Sequence, residues 1–286
     1  MLPDRPSNAQ GLRSDEPSYA PEPPAPLDTP EPPAPGLGAE SPAPAASAAS
    51  AEVVPEAPNA RRPLLVALAT TILVTALSYF APKDHAGTAV GLAFLAVTWA
   101  LVLRGDEHVI RAHGLSLGGL LEPLPLDRRR LLRDAAKASL WVLLFAAIIF
   151  PPFWFGFKLF WRVKMPFVLR GFESPWNEIS GHFLAVALPE EAFFRGYLQT
   201  RLDAAWAPRW RVFGADLGPG VIVSSAIFAI GHFLTVPSVD RLAVFFPSLV
   251  FGWLRARTGG VGAGVVFHAL CNIFSATLQR GYGFSR

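Results

Sequence analysis

The nine residues Leu188-Pro-Glu-Glu-Ala-Phe-Phe-Arg-Gly196 constrain the fold of this chain more than any other stretch. They place the side chains of Glu190, Glu191 and Arg195 inside an apolar run that is long enough to cross a bilayer. A charged side chain at the bilayer centre costs roughly 2.5–3.5 kcal/mol on insertion scales, so three of them need partners, water or a chemical purpose. Glu191 and Arg195 are four residues apart and can pair on one helix face, which leaves Glu190 as the freer carboxylate.

Pro189 stands immediately before the two glutamates. Proline removes a backbone donor and disturbs the preceding turn, so a carbonyl near Ala185 is predicted to be free to hold water. A carboxylate at this depth needs such a hydrated pocket, because an isolated buried charge is otherwise too costly. The stretch therefore predicts a polar site in the interior of a membrane-spanning structure.

Apolar runs recur along the chain and predict an all-α fold. The 286 residues are 51% hydrophobic and 16% charged, with a mean hydropathy of +0.35, which fits a polytopic membrane protein better than a soluble domain. We expect a transmembrane helical bundle of about seven spans. The predicted spans are Leu64–Phe80, Ala86–Leu103, Ser139–Phe157, Asn177–Leu202, Pro219–Leu234, the short run Leu242–Leu254, and Gly260–Leu278.

The chain divides into three predicted parts. Residues 1–60 hold nine acidic and two basic residues and 15 of the 28 prolines. Because this composition cannot bury enough apolar surface to offset the entropy of ordering, we expect a disordered, Pro/Ala-rich tail. Residues 61–138 are predicted to form a transmembrane hairpin followed by a basic interfacial segment. Residues 139–286 are predicted to form the transmembrane core that carries the site.

The distribution of basic residues predicts the orientation of the bundle. Arg61 and Arg62 precede the first span, and the run Arg128-Arg129-Arg130 follows the second. Because basic residues favour the cytoplasmic side of a membrane, we expect a multi-pass protein whose N-terminus is cytoplasmic. Four lysines against 21 arginines, with abundant Ala, Pro and Gly, suggest a GC-rich bacterial genome and hence a bacterial inner membrane.

Two later spans carry polar residues that are candidate partners for the glutamates. His232 ends the apolar run 221–234, and His268 and Asn272 lie inside the run 260–278. His268 and Asn272 are four residues apart, so on a helix they lie one turn, about 5.4 Å, from each other on the same face. The two side chains can therefore address one point.

Together these residues resemble a known family. Three motifs occur in order, each in a predicted span: Glu190-Glu191-x-x-x-Arg195, Phe228-x-x-x-His232 and His268-x-x-x-Asn272. They are similar to the three motifs of the CAAX-protease and bacteriocin-processing family, intramembrane endopeptidases related to the prenyl-protein-processing enzyme. The resemblance covers roughly residues 100–280 and implies that residues 139–286 are a catalytic core.

Peptide hydrolysis in a membrane needs a water, a base and donors for the oxyanion that develops on the scissile carbonyl. Glu190 is the candidate base, and His232 is placed to hold the same water and to pass a proton to the leaving amine. His268 and Asn272 are candidate donors to the carbonyl oxygen, and the resemblance implies the same assignment. We expect supporting roles for Glu191, Arg195 and Phe228.

Several alternatives remain open at the level of sequence. Glu190, His232 and His268 also make a possible Zn²⁺ set with an open position for water, although no His-Glu-x-x-His helix supports it. We expect a metal-free enzyme, with zinc as the alternative. A membrane transporter or a non-proteolytic scaffold would also use intramembrane Glu and His residues, and the lone Cys271 is read as an apolar filler.

The resemblance implies a membrane-associated protein or peptide as the substrate. Prenylated CAAX proteins are substrates of the eukaryotic relatives, whereas bacterial relatives are linked to bacteriocin peptides, immunity or surface-protein sorting. The lipid bilayer is the other expected partner, and no nucleic acid is expected.

Overall fold

A computed structural model of the chain describes residues 59–121 and 125–284. The predicted disordered tail lies outside the described residues, apart from its last two positions. Within the described ranges all seven predicted spans are helical, which confirms the all-α fold. The α-helices are α1 Arg61–Phe80, α2 Ala86–Thr98, α3 Glu107–Ala112, α4 Arg128–Phe160, α5 Pro175–Ser180, α6 Leu188–Glu191, α7 Thr200–Ala205, α8 Pro219–Thr235, α9 Phe245–Thr258 and α10 Gly262–Gly281.

Three helices in the described part of the chain are long and apolar enough to cross a membrane. They are Arg61–Phe80, Ala86–Leu103 and Arg128–Phe160, the second of which ends in the π-helical turn Trp99–Leu103. Helix α4 has 33 residues, and at 1.5 Å per residue it is longer than the roughly 30 Å hydrocarbon layer. Its basic first turns therefore extend beyond the apolar layer, and the chain is a polytopic membrane protein.

The span that bears the first motif, which we call the central helix, comprises residues 175–205. It joins α5, α6 and α7 through two π-helical segments, Gly181–Ala187 and Ala192–Gln199. Every residue from 189 to 199 is buried. A helix enclosed on all sides must find partners for its polar groups inside the protein, and here α1, α2, α8, α9 and α10 surround it.

Small residues allow the neighbouring helices to approach the central helix closely. A methyl group at Gly91 of α2 would come within 2.1 Å of the Ala185 carbonyl oxygen. The carbonyl expected to hold water is therefore covered by α2. On the other side, a methyl group at Gly264 would lie 3.1 Å from Oε2 of Glu191, so a small residue of α10 permits close approach to the central helix.

The segment expected to be interfacial, residues 104–138, is partly built into the core. Leu115 is only 1% exposed, and its side chain packs against Gly196, where a methyl group would come within 2.8 Å of it. The amide of Val261 donates a hydrogen bond of 2.9 Å to the carbonyl of Gly114. Residues from Arg128 onward are the first turns of α4. Hydropathy does not reveal this arrangement, because it depends on the absence of a side chain at Gly196.

A short β-hairpin interrupts the polar connection between the central helix and α8. Strands β1 Trp210–Val212 and β2 Ala215–Leu217 pair in an antiparallel register, with Val212 opposite Ala215. Phe213 and Gly214 form the turn, and both have positive φ angles, as two-residue hairpin turns of type I′ require. The indole nitrogen of Trp253 donates a hydrogen bond of 2.9 Å to the carbonyl of Val212 and ties the hairpin to α9.

Candidate active site

Glu191 and Arg195 form an ion pair inside the central helix, as their spacing predicts. Nη1 of Arg195 lies 3.1 Å from Oε1 of Glu191, and the two side chains are 1% and 0% exposed. Nη2 of Arg195 donates to the carbonyl of Ser248 at 3.1 Å and to the hydroxyl of the same residue. A guanidinium can be buried here because three acceptors and a counter-charge compensate it.

Two aromatic rings contact this guanidinium. Cζ of Arg195 lies 4.7 Å from the ring centroid of Phe228 and 5.2 Å from that of Phe251. Both distances are within the range of cation–π attraction. The ring of Phe228 also lies 4.4 Å from the imidazole of His232 and 5.8 Å from that of His268, measured between centroids. Phe228, expected to be a supporting residue, is therefore packed against Arg195 and both histidines.

His268 lies between the two glutamates. Its Nδ1 is 3.0 Å from Oε1 of Glu191, and its Nε2 is 3.8 Å from Oε2 of Glu190. The ring of Phe251 stacks on the imidazole with a centroid distance of 4.9 Å and an angle of 12° between the planes. Glu191 therefore does more than neutralise Arg195, because it also holds the imidazole of His268 in place.

Glu190 is buried, yet its Oε2 atom has no hydrogen-bond partner in the described protein. A buried carboxylate oxygen without a partner is costly unless water or a substrate supplies one. The same carboxylate lines a cavity of about 210 Å³ that is bounded by α1, α2, the central helix and α8. His232 lines this cavity as well, and it and Glu190 are the two ionisable residues of the lining.

His232 is oriented by its own helix. Its Nδ1 lies 3.0 Å from the carbonyl oxygen of Phe228, one turn earlier. A carbonyl can only accept a hydrogen bond, so Nδ1 carries a proton and the neutral ring keeps its lone pair on Nε2. In this state His232 can accept a proton or hold a water from the side of the cavity.

A second, more polar cavity of about 330 Å³ adjoins the first. The two share Gly87, Ala185 and Val186 in their linings. Asp84 and Glu178 line the second cavity together with His182. The apolar cavity that contains Glu190 thus adjoins a more polar cavity near the start of α2 and of the central helix.

Asn272 is one turn beyond His268 on α10 and is half-buried. It makes no hydrogen bond to another residue in the described part of the chain and does not line either cavity. The structure thus groups Glu190, Glu191, Arg195, Phe228, His232 and His268, and leaves Asn272 beside this group with its amide uncommitted.

The residues named as a zinc set do not form a metal-binding group. Among residues 59–121 and 125–284, no three His, Cys, Asp or Glu side chains are arranged to hold a metal ion. The geometry therefore offers no support for zinc, and no step is assigned to a metal.

Two further residues contact the site residues and were not predicted from the sequence. Ser248 and Phe251 lie on α9, in the short predicted span, and both are fully buried. Ser248 is a lone hydroxyl residue in an apolar run, which is a weak signal because serine is common in membrane helices. Phe251 carries no signal, since one more phenylalanine in a chain with 22 of them does not stand out.

Comparison with known proteins identifies a family for the part of the chain that carries these residues. A family model described as Rce1-like, type II CAAX prenyl endopeptidase, matches residues 172–274, which span the central helix, α8, α9 and most of α10. This part of the chain is an Rce1-like domain, and the match confirms the resemblance to the CAAX-protease family. No curated protein and no solved structure matches the chain. The family match supports the function of a CAAX-type intramembrane endopeptidase. Proteases of this family act on membrane-associated protein substrates.

Proposed function

We propose that this protein is an intramembrane endopeptidase that hydrolyses a peptide bond of a membrane-associated protein or peptide with water activated by Glu190. One observation carries the proposal: the Glu190 carboxylate, without a hydrogen-bond partner in the described protein, lies with His232 on the wall of a largely apolar cavity. An enclosed carboxylate of this kind is suited to take a proton from water.

In this mechanism, a water lies between Glu190 and His232, with the scissile carbonyl in the cavity. Glu190 accepts the proton as the oxygen attacks the carbonyl carbon, and His232 passes that proton on to the amide nitrogen as it leaves. His232 holds the water through its free Nε2. The apolar walls exclude bulk solvent, which strengthens each electrostatic contact in the site.

The oxyanion is assigned to His268 and Asn272. Asn272 has an uncommitted amide one turn beyond His268, which is a potential hydrogen-bond donor. His268 donates from Nε2 only when the ring is doubly protonated, because its Nδ1 proton is held by Glu191. A cationic imidazole beside a developing negative charge is an effective stabiliser in a site of low dielectric.

We propose a metal-free, glutamate-type reaction, with a zinc-dependent version of the same protease as the alternative. The proposal for localisation is a bacterial inner membrane with the N-terminus on the cytoplasmic side. A transporter or a silent scaffold would use the same Glu and His residues, but the match of residues 172–274 to a prenyl endopeptidase family favours the protease.

The test is cleavage of an internally quenched peptide by the full-length protein in nanodiscs. The peptide carries a CAAX sequence and is supplied both farnesylated and without lipid. We expect cleavage by the wild-type protein and loss of at least 100-fold with Glu190→Gln, in line with the roughly 10²–10⁴-fold effect of removing a general base. The control is Glu173→Gln, which changes an exposed carboxylate in the loop before the central helix.

Cleavage of the farnesylated peptide alone would identify lipidated CAAX proteins as substrates. Cleavage of both peptides would assign the protein to a broader class of membrane peptides. Equal rates for the wild-type protein and Glu190→Gln would contradict the proposed base.

A further inference from the structure

Ser248 of α9 is completely buried, and both its carbonyl and its hydroxyl accept hydrogen bonds from Nη2 of Arg195. We propose that Ser248 is a positioning residue: by holding Arg195 against Glu191, it fixes His268 with a proton on Nδ1 and with Nε2 facing Glu190. The kinetic part of this inference rests on the proposed peptidase function, whereas the tautomer of His268 can be measured without any substrate.

The first link is the geometry of the guanidinium. Arg195 has hydrogen-bond acceptors on two sides, Glu191 of its own helix and Ser248 of α9. Its Nε atom has no partner, and aromatic rings cover its faces. Without the Ser248 hydroxyl, the guanidinium would keep its bonds to Glu191 and to the Ser248 carbonyl, and α9 would restrain it through one bond in place of two.

The second link is the carboxylate of Glu191. Oε1 of this residue accepts from Nη1 of Arg195 and also contacts Nδ1 of His268, each within 3.1 Å. A neighbouring guanidinium favours the ionised carboxylate, which can only accept hydrogen bonds. Nδ1 of His268 must therefore carry the proton. An imidazole held in this way by a carboxylate has a fixed tautomer and a fixed ring plane.

The charge balance of the group shows why this orientation matters. Arg195 is one permanent cation facing two carboxylates, Glu190 and Glu191. The imidazole of His268 lies between these two carboxylates, with Nδ1 bound to Glu191 and Nε2 3.8 Å from Oε2 of Glu190. The protonated ring is the form that can donate to an oxyanion.

Helix α9 does not depend on the Ser248 hydroxyl for its place in the fold. Nε2 of Gln199 donates a hydrogen bond of 3.1 Å to the carbonyl of Gly252, and Phe251 packs on both His268 and Arg195. Ser248 does not line the cavity that contains Glu190. Its removal should therefore disturb the orientation of His268 while leaving the helix packing and the substrate cavity intact.

The experiment compares Ser248→Ala with Ser225→Ala in full-length protein. Ser225 of α8 is an equally buried serine whose hydroxyl has no hydrogen-bond partner in the described protein, so it controls for the loss of a buried hydroxyl. ¹⁵N spectra of histidine-labelled protein distinguish a protonated from an unprotonated ring nitrogen, and His268→Gln identifies the signals of His268. Cleavage of the quenched peptide gives kcat and KM for each variant.

We expect the neutral form of His268 to carry its proton on Nδ1 in the wild-type protein and in Ser225→Ala, and to populate both tautomers in Ser248→Ala. We expect kcat of Ser248→Ala to fall by about 10- to 100-fold, since a small misplacement of a reacting group costs on this order, with KM unchanged. A proton on Nε2 of neutral His268 in the wild-type protein would overturn the inference even if Ser248→Ala failed to fold.

Unchanged spectra and unchanged kcat in Ser248→Ala would also overturn it. A third result is possible, in which the tautomer of His268 changes as expected but neither the wild-type protein nor any variant cleaves the peptide. In that case the inference on Ser248 stands and the proposed peptidase function fails. The two failures are therefore distinguishable.

Discussion

The α-carbon of Gly91 on α2 lies against the carbonyl oxygen of Ala185 on the central helix, so that a methyl group at Gly91 would come within 2.1 Å of that oxygen. Pro189 follows four residues after Ala185 and has no amide proton to offer it. The carbonyl that proline leaves without its i+4 helical partner thus lies in a close contact between α2 and the central helix. This contact fixes the depth at which Glu190 lies relative to the cavity wall formed by α2.

We predict that Gly91→Ala destabilises the protein by about 1–3 kcal/mol or more, because backbone atoms must move to admit the methyl group. Gly87→Ala, on the same helix with open space around its α-carbon, should be neutral or slightly stabilising, as alanine is the better helix former. Thermal unfolding in detergent measures both changes. Equal melting temperatures for the two variants would show that α2 does not pack here.

The sequence was sufficient for the helices, and it named residues that the structure brings together and whose catalytic roles stay predictions. Seven apolar runs predicted seven helices, and three motifs named Glu190, His232 and His268, whose side chains the structure groups. These predictions succeed because apolar length and buried charge are properties of single segments. The role of Asn272 as an oxyanion donor stays a prediction. The metal-free mechanism also stays a prediction.

Other features depend on pairs of segments far apart in sequence. The insertion of Leu115 against Gly196 and the contact of Gly91 with Ala185 need the absence of a side chain on one partner and the shape of another. The link from Ser248 to Arg195 joins residues 53 positions apart. No local pattern reports such contacts, so hydropathy placed the segment around Leu115 at the interface.

We predict that Arg195→Met destabilises the protein by about 3–5 kcal/mol, because it leaves Glu191 as a buried carboxylate without its counter-charge. The double variant Glu191→Leu, Arg195→Met removes both charges and should recover most of the lost stability. Chemical unfolding in detergent or bicelles measures these differences.

The same double variant should stay nearly inactive in the peptide cleavage assay, since Nδ1 of His268 then has no acceptor. A double variant as unstable as Arg195→Met would indicate that the aromatic contacts, and not the ion pair, dominate the energy of this site. A fully active double variant would show that the orientation of His268 does not limit the reaction.

Chelation tests the proposed metal-free mechanism directly. We predict that dialysis of the purified protein against EDTA and 1,10-phenanthroline leaves the rate of peptide cleavage within about twofold, because Glu190 and His232 bind the water without an ion. Elemental analysis should find no stoichiometric zinc. Loss of activity that zinc alone restores would decide for the metalloenzyme.

Asn272 provides the last test, because its amide has no hydrogen-bond partner in the described protein and lies one turn beyond His268. If this amide donates to the oxyanion, Asn272→Ala should lower kcat by about 10²–10³-fold, as the loss of one such donor does. The KM should stay within a few-fold of the wild-type value, because the contact forms in the transition state and not with the bound substrate.

Asn177→Ala, which removes an exposed amide near the start of the central helix, is the matched control and should cleave at the wild-type rate. Single-turnover cleavage of the quenched peptide in nanodiscs separates the chemical step from product release for both variants. A rise in KM with an unchanged kcat for Asn272→Ala would place Asn272 in substrate binding. In that case the oxyanion would depend on the protonated His268 alone, and the fixed orientation of that ring would carry the whole of its stabilisation.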